Sequence, residues 1–365
     1  MRFHFLKVLW VLISGAATVY GGEKKKLIEF GWDEPDAAFM RKHIAEMERT
    51  PFDGCVFHIN YAKPNGAGGN FTWECWGTKA FTEKELEPAL EDLNATRFDR
   101  FRDNFLRFNV TPGKIDWFND FSAILQNAGL AARVAREGKC RGILFDIEEY
   151  EARTFQYRTR RDAATKSWKL YEGQARQRGR EVMAAFQKEF PEIVVFLTFG
   201  YCLPWTQSEN GKKPLAELEY GLLAPFLDGM MEASTHPRSI VDGCELAYSF
   251  KDTSKFAKYY QLMAEAVLPI VADPRKYRNA VSLGFGIWLD YDWRKLGWNT
   301  NDVAKNFYTP ETFEASVREG LEVADEYVWV YTEQPRWWTS EGGSVQLPEP
   351  YVEALKRARM KKPDR

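Results

Sequence analysis

The chain has 365 residues, 45% hydrophobic and 28% charged, with a formal net charge of −2. It is long enough to bury a full core, as one large α/β barrel or two smaller domains, and it has no basic stripe, so nucleic-acid partners are not expected. Its compositional outlier is an aromatic share of 15%, with 13 Trp, 16 Tyr and 26 Phe, which must fill a core or line a surface for flat, partly apolar ligands.

Arg2 and Lys7 precede the apolar run of residues 8–13, and Ser14, Gly15, Ala16 and Ala17 follow it. This is the basic head, short apolar centre and small-residue exit of a secretory signal peptide, here residues 1–22, with an uncleaved anchor as the alternative. No second long apolar run follows, so the mature chain is expected to be exported, to the periplasm or beyond, without a membrane span. Cys55, Cys140, Cys202 and Cys244 fall in or beside apolar strand candidates and Cys75 makes the number odd, so no disulfide framework is expected. The histidines are His4, His43, His58 and His236, few donors for a zinc site, and neither metal nor cofactor is expected.

Residues 27–33 read as a first strand stopped by Glu34 and Pro35, with Asp36 as N-cap of a helix over residues 37–49. Residues 55–60 give a second strand and complete a βαβ unit. Residues 61–81 break the rhythm with a Gly-rich run and carry Trp73 and Trp76, a long loop of the kind that rims a site. A helix over 83–93 leads to a third strand at 104–110. The clearest helix, 120–138, keeps Phe121, Ile124, Leu125, Ala128, Ala132 and Ala135 on one broad face and delivers the fourth strand.

That fourth strand, Gly142-Ile143-Leu144-Phe145-Asp146, runs straight into Glu148, Glu149 and Glu151. A basic connector, 153–161, reads as a solvated salt network and passes to a helix over 167–190. A fifth strand at 193–201, a helix at 215–233 and a sixth strand at 239–248 follow; Asp242-Gly243 also fits a hairpin turn. A helix at 255–271, a seventh strand at 282–292, a helix opened by Pro310 and an eighth strand at 327–333 complete the series. Strands alternating with helices in this number predict an α/β fold, a single (β/α)8 TIM-type barrel over residues 23–365 with a long loop after strand 2. A doubly wound sheet is the alternative, but Gly284-Phe285-Gly286 lies inside a strand and is no phosphate-binding fingerprint.

The functional face of such a barrel is the C-terminal end of its strands. Standing there are Trp32 and Asp33, His58 and Asn60, Asp116 and Trp117, then Asp146, Glu148 and Glu149. The later strands bring Tyr201 and Trp205, Glu245 and Tyr248, Asp290, Asp292 and Trp293, and Glu333 and Trp337. Carboxylates to bond hydroxyls and flat rings to stack on pyranose faces suit a carbohydrate. Trp73, Trp76 and Trp293 have polar or Gly-rich neighbours and read as stacking residues, Trp329 as core, and His58 as a hydrogen-bonded wall residue.

Glycoside cleavage needs two carboxyl groups in unlike environments, one protonated and one ionised. Period two puts Leu144, Asp146 and Glu148 on one side of the strand, and the like charge of Asp146 favours the protonated form of Glu148. Glu148 is the predicted general acid and Asp146 its partner. The second carboxylate is expected at Asp290 or Asp292, then at Glu333, then at Glu245; Glu149 and Glu151 read as a solvated turn.

The run from Gly142 to Glu148 is similar to the fourth-strand signature of chitinase-like glycoside hydrolases, in which an Asp-x-Glu pair ends the strand and the Glu is the acid. The resemblance implies a (β/α)8 glycosidase in which Tyr248 holds a substrate acetamido or hydroxyl group and Trp337 floors the sugar site. Two positions depart from it: Leu144 stands where that family has another Asp, and Glu149 rather than Tyr follows the Glu. The reading is an exported glycoside hydrolase of a poly- or oligosaccharide. A non-catalytic carbohydrate-binding or surface-assembly barrel is the alternative, and a metal-dependent hydrolase a third.

Overall fold

Short apolar runs bounded by glycine, proline or charge form parallel strands, as buried strands of this composition do. The structure, a computed structural model, describes residues 25–32, 34–63, 66–338 and 345–360, so the expected signal peptide and Asp33 lie outside the described residues. The barrel strands are Lys26–Gly31, Gly54–Phe57, Phe105–Asn109, Gly142–Asp146, Val194–Leu197 and Ile240–Asp242, then a seventh in two segments, Val281–Leu283 and Phe285–Trp288, and an eighth, Tyr327–Thr332. Each pairs in parallel with the next, and the eighth pairs with the first. The seventh strand divides its bonding: its first segment pairs with the sixth strand, its second with the eighth. Between them the Gly284 N–H donates to the Asp242 carbonyl at 2.8 Å. The sheet thus comes round on itself through one strand, as a (β/α)8 barrel.

Alternation along the strands makes two cores. Ile28, Phe30, Phe105, Leu144, Phe196 and Trp329 fill the barrel interior, while Ile143 and Phe145 face outward into the layer beneath the helices. Trp329 is buried, as expected, and spans the interior. Its indole N–H donates to the Gly243 carbonyl at 2.8 Å, and a Cβ on Gly286 would stand 2.6 Å from its ring. Of the seventh strand's glycines, Gly286 therefore makes room for an indole and Gly284 for the Tyr327 carbonyl, and neither begins a phosphate-binding loop.

The N-cap at Asp36 accepts from the Phe39 N–H at 2.7 Å and starts the helix Ala37–Met47. The helix expected over 215–233 is a 3-10 turn, Leu215–Glu217, followed by Leu223–Ala233; Gly221 packs on the Leu215 carbonyl, which no side chain would permit. The sixth strand is shorter than expected because the Asp242 carboxylate takes the N–H groups of Gly200 and Cys244 and turns the chain into Glu245–Ala247. The long loop after the second strand holds a small hairpin, Asn60–Ala62 with Gly68–Asn70, and a turn, Phe71–Trp73. A last helix, Glu349–Ala358, was not expected from the sequence. All five thiols are buried and free, and among the described residues no helix is long and apolar enough to cross a membrane.

Candidate active site

Arg107 is buried in the third strand, an arginine among Phe105, Leu106 and Phe108. Phe105 belongs to the interior core and Leu106 and Phe108 to the outer one, so Arg107 also points inward. A buried guanidinium must be paired. One end of it meets Glu34, with Nη1 at 3.1 and 3.0 Å from the two carboxylate oxygens. The other end meets Asp146 Oδ2, from Nε at 3.2 Å and Nη2 at 2.6 Å. Asp146 is thereby fixed at the end of the fourth strand, and its other oxygen accepts the Glu148 N–H at 3.1 Å.

Tyr150 then links the two predicted catalytic carboxyls. Its hydroxyl lies 3.0 Å from Asp146 Oδ2 and 2.9 Å from Glu148 Oε2, and it carries one proton for the two. If that proton goes to Asp146, the contact with Glu148 is satisfied when Glu148 supplies its own. Burial, and next the charge of Asp146, raise the Glu148 pKa, which favours that proton on Glu148.

These groups open into a cavity of about 290 Å³ at the C-terminal mouth of the barrel. Its other walls include Phe30, Trp32, Glu245, Tyr248, Tyr331 and Glu333. Tyr248 is stacked on Tyr331 with ring centroids 5.6 Å apart, and Trp288 stands edge-on to both. Glu333 accepts from the Trp293 indole at 2.6 Å and from Arg294 at 2.7 Å. Glu245 Oε2 is buried with no hydrogen-bond partner, and burial, then Glu148 and Asp146, push its pKa well up.

Asp146, Glu148, Glu245, Glu333, Trp32 and Tyr248 are therefore brought together as expected from the sequence. Trp73 stands behind them, 5.0 Å from Tyr150 and 6.4 Å from Trp32 by ring centroid, with the Arg107 guanidinium over its face. His58 is hydrogen-bonded as expected, its Nδ1 3.1 Å from the Glu34 carbonyl oxygen, but it is not part of the cavity wall. Trp293 acts on the site through Glu333 and is not part of the cavity wall.

Other predicted residues are placed elsewhere, and packing gives the reason. Trp76 is fully buried among Phe108, Phe121, Phe145 and Phe226, and Trp117 is buried with its indole donating to the Thr154 carbonyl. Trp337 is wedged edge-on against Phe52 and does not floor the cavity. Trp205 and Tyr201 are buried; the Tyr201 hydroxyl donates to Asp228 at 2.7 Å. Asp116 accepts the Tyr171 hydroxyl, and Asn60 donates to Asp36 at 2.8 Å. Asp290 takes the N–H groups of Glu333 and Gln334 and the Trp288 indole, so it shapes the turn that carries Glu333 and is not itself the second carboxylate. Asp292 turns the chain with a positive φ of 60° and faces Lys295 at 3.5 Å.

Glu149 is not the solvated turn residue expected. Its Oε1 accepts the Phe155 N–H, and burial pushes its pKa up to about 7. The basic connector does behave as a salt network, with Arg158 on Glu217 at 2.9 Å and Arg161 on Asp162 at 3.0 Å. Sequence reasoning missed Arg107, Glu34 and Tyr150. The available signal was an arginine inside an apolar strand, where only a paired charge survives.

No family model and no curated protein matches the chain. Among solved structures it is similar to GH5_18 from Streptomyces cattleya in complex with GlcNAc, at 10% identity and a TM-score of 0.49 over 94% of this chain and 82% of that one. It is also similar to an endocellulase from Pyrococcus horikoshii in complex with cellotetraose, at 12% identity and a TM-score of 0.46 over 93% of this chain and 94% of that one. A thermostable mutant of a xylanase from Cellvibrio japonicus matches at 10% identity and a TM-score of 0.44, over 93% of this chain and 98% of that one.

Proposed function

We propose that this chain is an exported glycoside hydrolase that cleaves a poly- or oligosaccharide by carboxylic acid catalysis. The observation that carries the reading is the state of Glu148: half-buried in an aromatic-walled cavity, raised in pKa by burial and Asp146, and joined to Asp146 through one phenol proton. A carboxyl group held protonated there can deliver its proton to a glycosidic oxygen as the bond breaks. Glu333, whose charge is paired with Arg294, is the second carboxylate, acting as nucleophile or as base toward water. Arg107 and Glu34 do not touch substrate in this scheme. They hold Asp146, and through Tyr150 the proton of Glu148.

Purified mature chain assayed on a broad glycoside and polysaccharide panel, beside Glu148→Gln, tests this. The expected result is cleavage of at least one substrate by the wild type and a fall in kcat of about 100-fold or more in the variant, the worth of a general acid. Equal activity in the two removes Glu148 from the role. Binding of glycans by both without cleavage by either identifies a carbohydrate-binding barrel instead.

A further inference from the structure

The cavity at the barrel mouth is a pit with one way out. Every barrel strand except the second, or the turn that follows it, contributes to its wall. On the side of the second strand the ring of Trp73 backs that wall, 5.0 Å from Tyr150 and 6.4 Å from Trp32 by centroid. Below, Phe30 is buried in the interior core, 5.6 Å from Trp329 by ring centroid, and closes the floor.

Exposure around the rim is confined to one sector. Among the described residues of the wall only Trp32 and Arg294 are exposed, and the others are buried or half-buried. Trp32 follows the first strand and Arg294 the seventh, and the eighth lies between those two in the sheet. Across the mouth from them, the third to sixth strands and the turns after them bring Arg107, Asp146, Glu148, Thr198 and Tyr248, none of them exposed.

A sugar chain cut in its interior must leave the site in two directions, so it needs a groove open on two sides of the mouth. A chain cut at its end needs one opening. The cavity of about 290 Å³ lies at the small end of the roughly 300–1,000 Å³ of small-molecule sites, room for one sugar ring and not for a run of them. Glu148 and Glu333 both stand in the wall of the pit, so the ring that fills it is the one whose anomeric carbon is attacked. The leaving sugar then lies outward. Tyr150, bonded to Glu148, is 6.5 Å from Trp32 by ring centroid, so an oxygen protonated by Glu148 departs beside the exposed indole.

Resting on the reading of this cavity as a hydrolase site, we infer that the enzyme acts on chain ends. It takes the non-reducing terminal sugar into the pit and releases it as a monosaccharide, while the rest of the chain passes out between Trp32 and Arg294. The bond from C1 of that sugar to the glycosidic oxygen breaks and the oxygen takes the Glu148 proton. The hydroxyl of one water ends on C1, and the water's other proton goes to the carboxyl pair. The closed wall is the element that refuses a chain interior, because a further sugar on that side would have to displace buried side chains.

The test uses the mature wild-type chain and α- and β-linked gluco-, galacto-, manno- and N-acetylglucosamine oligosaccharides labelled at the reducing end. Each is offered with its non-reducing terminal sugar free, or blocked by a benzylidene acetal across the outer hydroxyls. The first labelled product is expected to be one unit shorter than the substrate, with unlabelled monosaccharide beside it. Blocking should lower kcat/KM on the order of 100-fold, as misplacement of a reacting group by about an ångström does. Mid-chain fragments as first products, or blocked chains cut as fast as free ones, would overturn the inference and leave the hydrolase reading standing. Cleavage of none of the oligosaccharides would overturn the inference together with that reading.

Discussion

The two ends of the barrel both open into cavities, and they differ in kind. At the N-terminal end a more open cavity of about 630 Å³ is walled by Lys26, Arg102, Asp103, Arg141, His236 and Arg238. At the C-terminal end the cavity is smaller, about 290 Å³. The larger one has charges of both signs and no Trp, Tyr or Phe in its wall, and of its three acids, Asp103, Glu192 and Glu326, the first meets Lys26 at 3.2 Å and the Tyr327 hydroxyl at 3.1 Å. The smaller one combines aromatic walls, a sealed ion network and two carboxyls without basic partners. A site is thus marked by unspent chemistry in a shaped enclosure, and size by itself marks nothing.

If that contrast is right, substitutions should matter at one end only. After the loss proposed for Glu148→Gln, the largest effect is expected from Arg107→Met. Removing the guanidinium leaves Glu34 and Asp146 buried and facing each other without a cation. Breaking a buried pair from one side costs about 3–5 kcal/mol, so urea denaturation should show a loss of that order and a much lower midpoint. A variant as stable as the wild type would mean that the network is solvated and that Asp146 is not fixed by it.

The upper end should also make stability depend on pH. Burial raises Glu149 to about 7 from an ordinary value near 4.5 and Asp242 to about 6 from near 3.8, and it raises Glu148 and Glu245 in the same direction. A carboxyl whose folded pKa lies above its unfolded one binds more protons when folded, so its contribution is full below the unfolded pKa and is lost as pH rises through the folded one. The melting temperature is therefore expected to fall between pH about 5 and about 7. Glu149→Gln keeps an acceptor for the Phe155 N–H and removes one titrating group, so it should flatten that slope by on the order of 1–3 kcal/mol across the window. A slope unchanged in Glu149→Gln would place this carboxyl in water.

How much of this was legible in the sequence follows from the range of each interaction. The barrel was legible because strand and helix periods are local, and Asp146 and Glu148 because one strand carries both. Glu34, Arg107 and Asp146 come from three different strands or strand ends, and only the closed sheet brings them together. The same closure decides the fate of the tryptophans. Trp73 and Trp76 are three residues apart in one polar loop, yet one stands beside Tyr150 at the mouth and the other is fully buried against four phenylalanines. The acid ladder at the seventh strand was misread for a related reason. Asp290 is at a strand end, but its oxygens are used by backbone N–H groups of the eighth, which sequence spacing does not reveal.

A smaller effect sharpens the contrast at the mouth itself. Trp32 is 51% exposed, the one large aromatic among the described residues to be so open, and it borders the cavity beside Tyr150. An indole left in water at a site rim is placed to stack on a sugar outside the cavity, where a pair is worth about 0.5–1.5 kcal/mol. Trp32→Ala should raise KM for an oligosaccharide roughly 3- to 10-fold with kcat little changed, since the proton of Glu148 is untouched.

The smallest expected effect is the one most able to break the comparison. Arg238 lies exposed in the wall of the lower cavity, its backbone N–H bonded to the Asn279 carbonyl at 2.9 Å. Arg238→Gln leaves that backbone bond in place and removes only a solvated charge, so stability should stay within about 0.5 kcal/mol and kcat/KM should not move. The interior core that includes Trp329 lies between the two ends, and the walls of the two cavities have no residue in common. A change in kcat/KM on Arg238→Gln would therefore mean that the lower cavity takes part in binding, and that unspent chemistry at the upper mouth is only half of what the barrel uses.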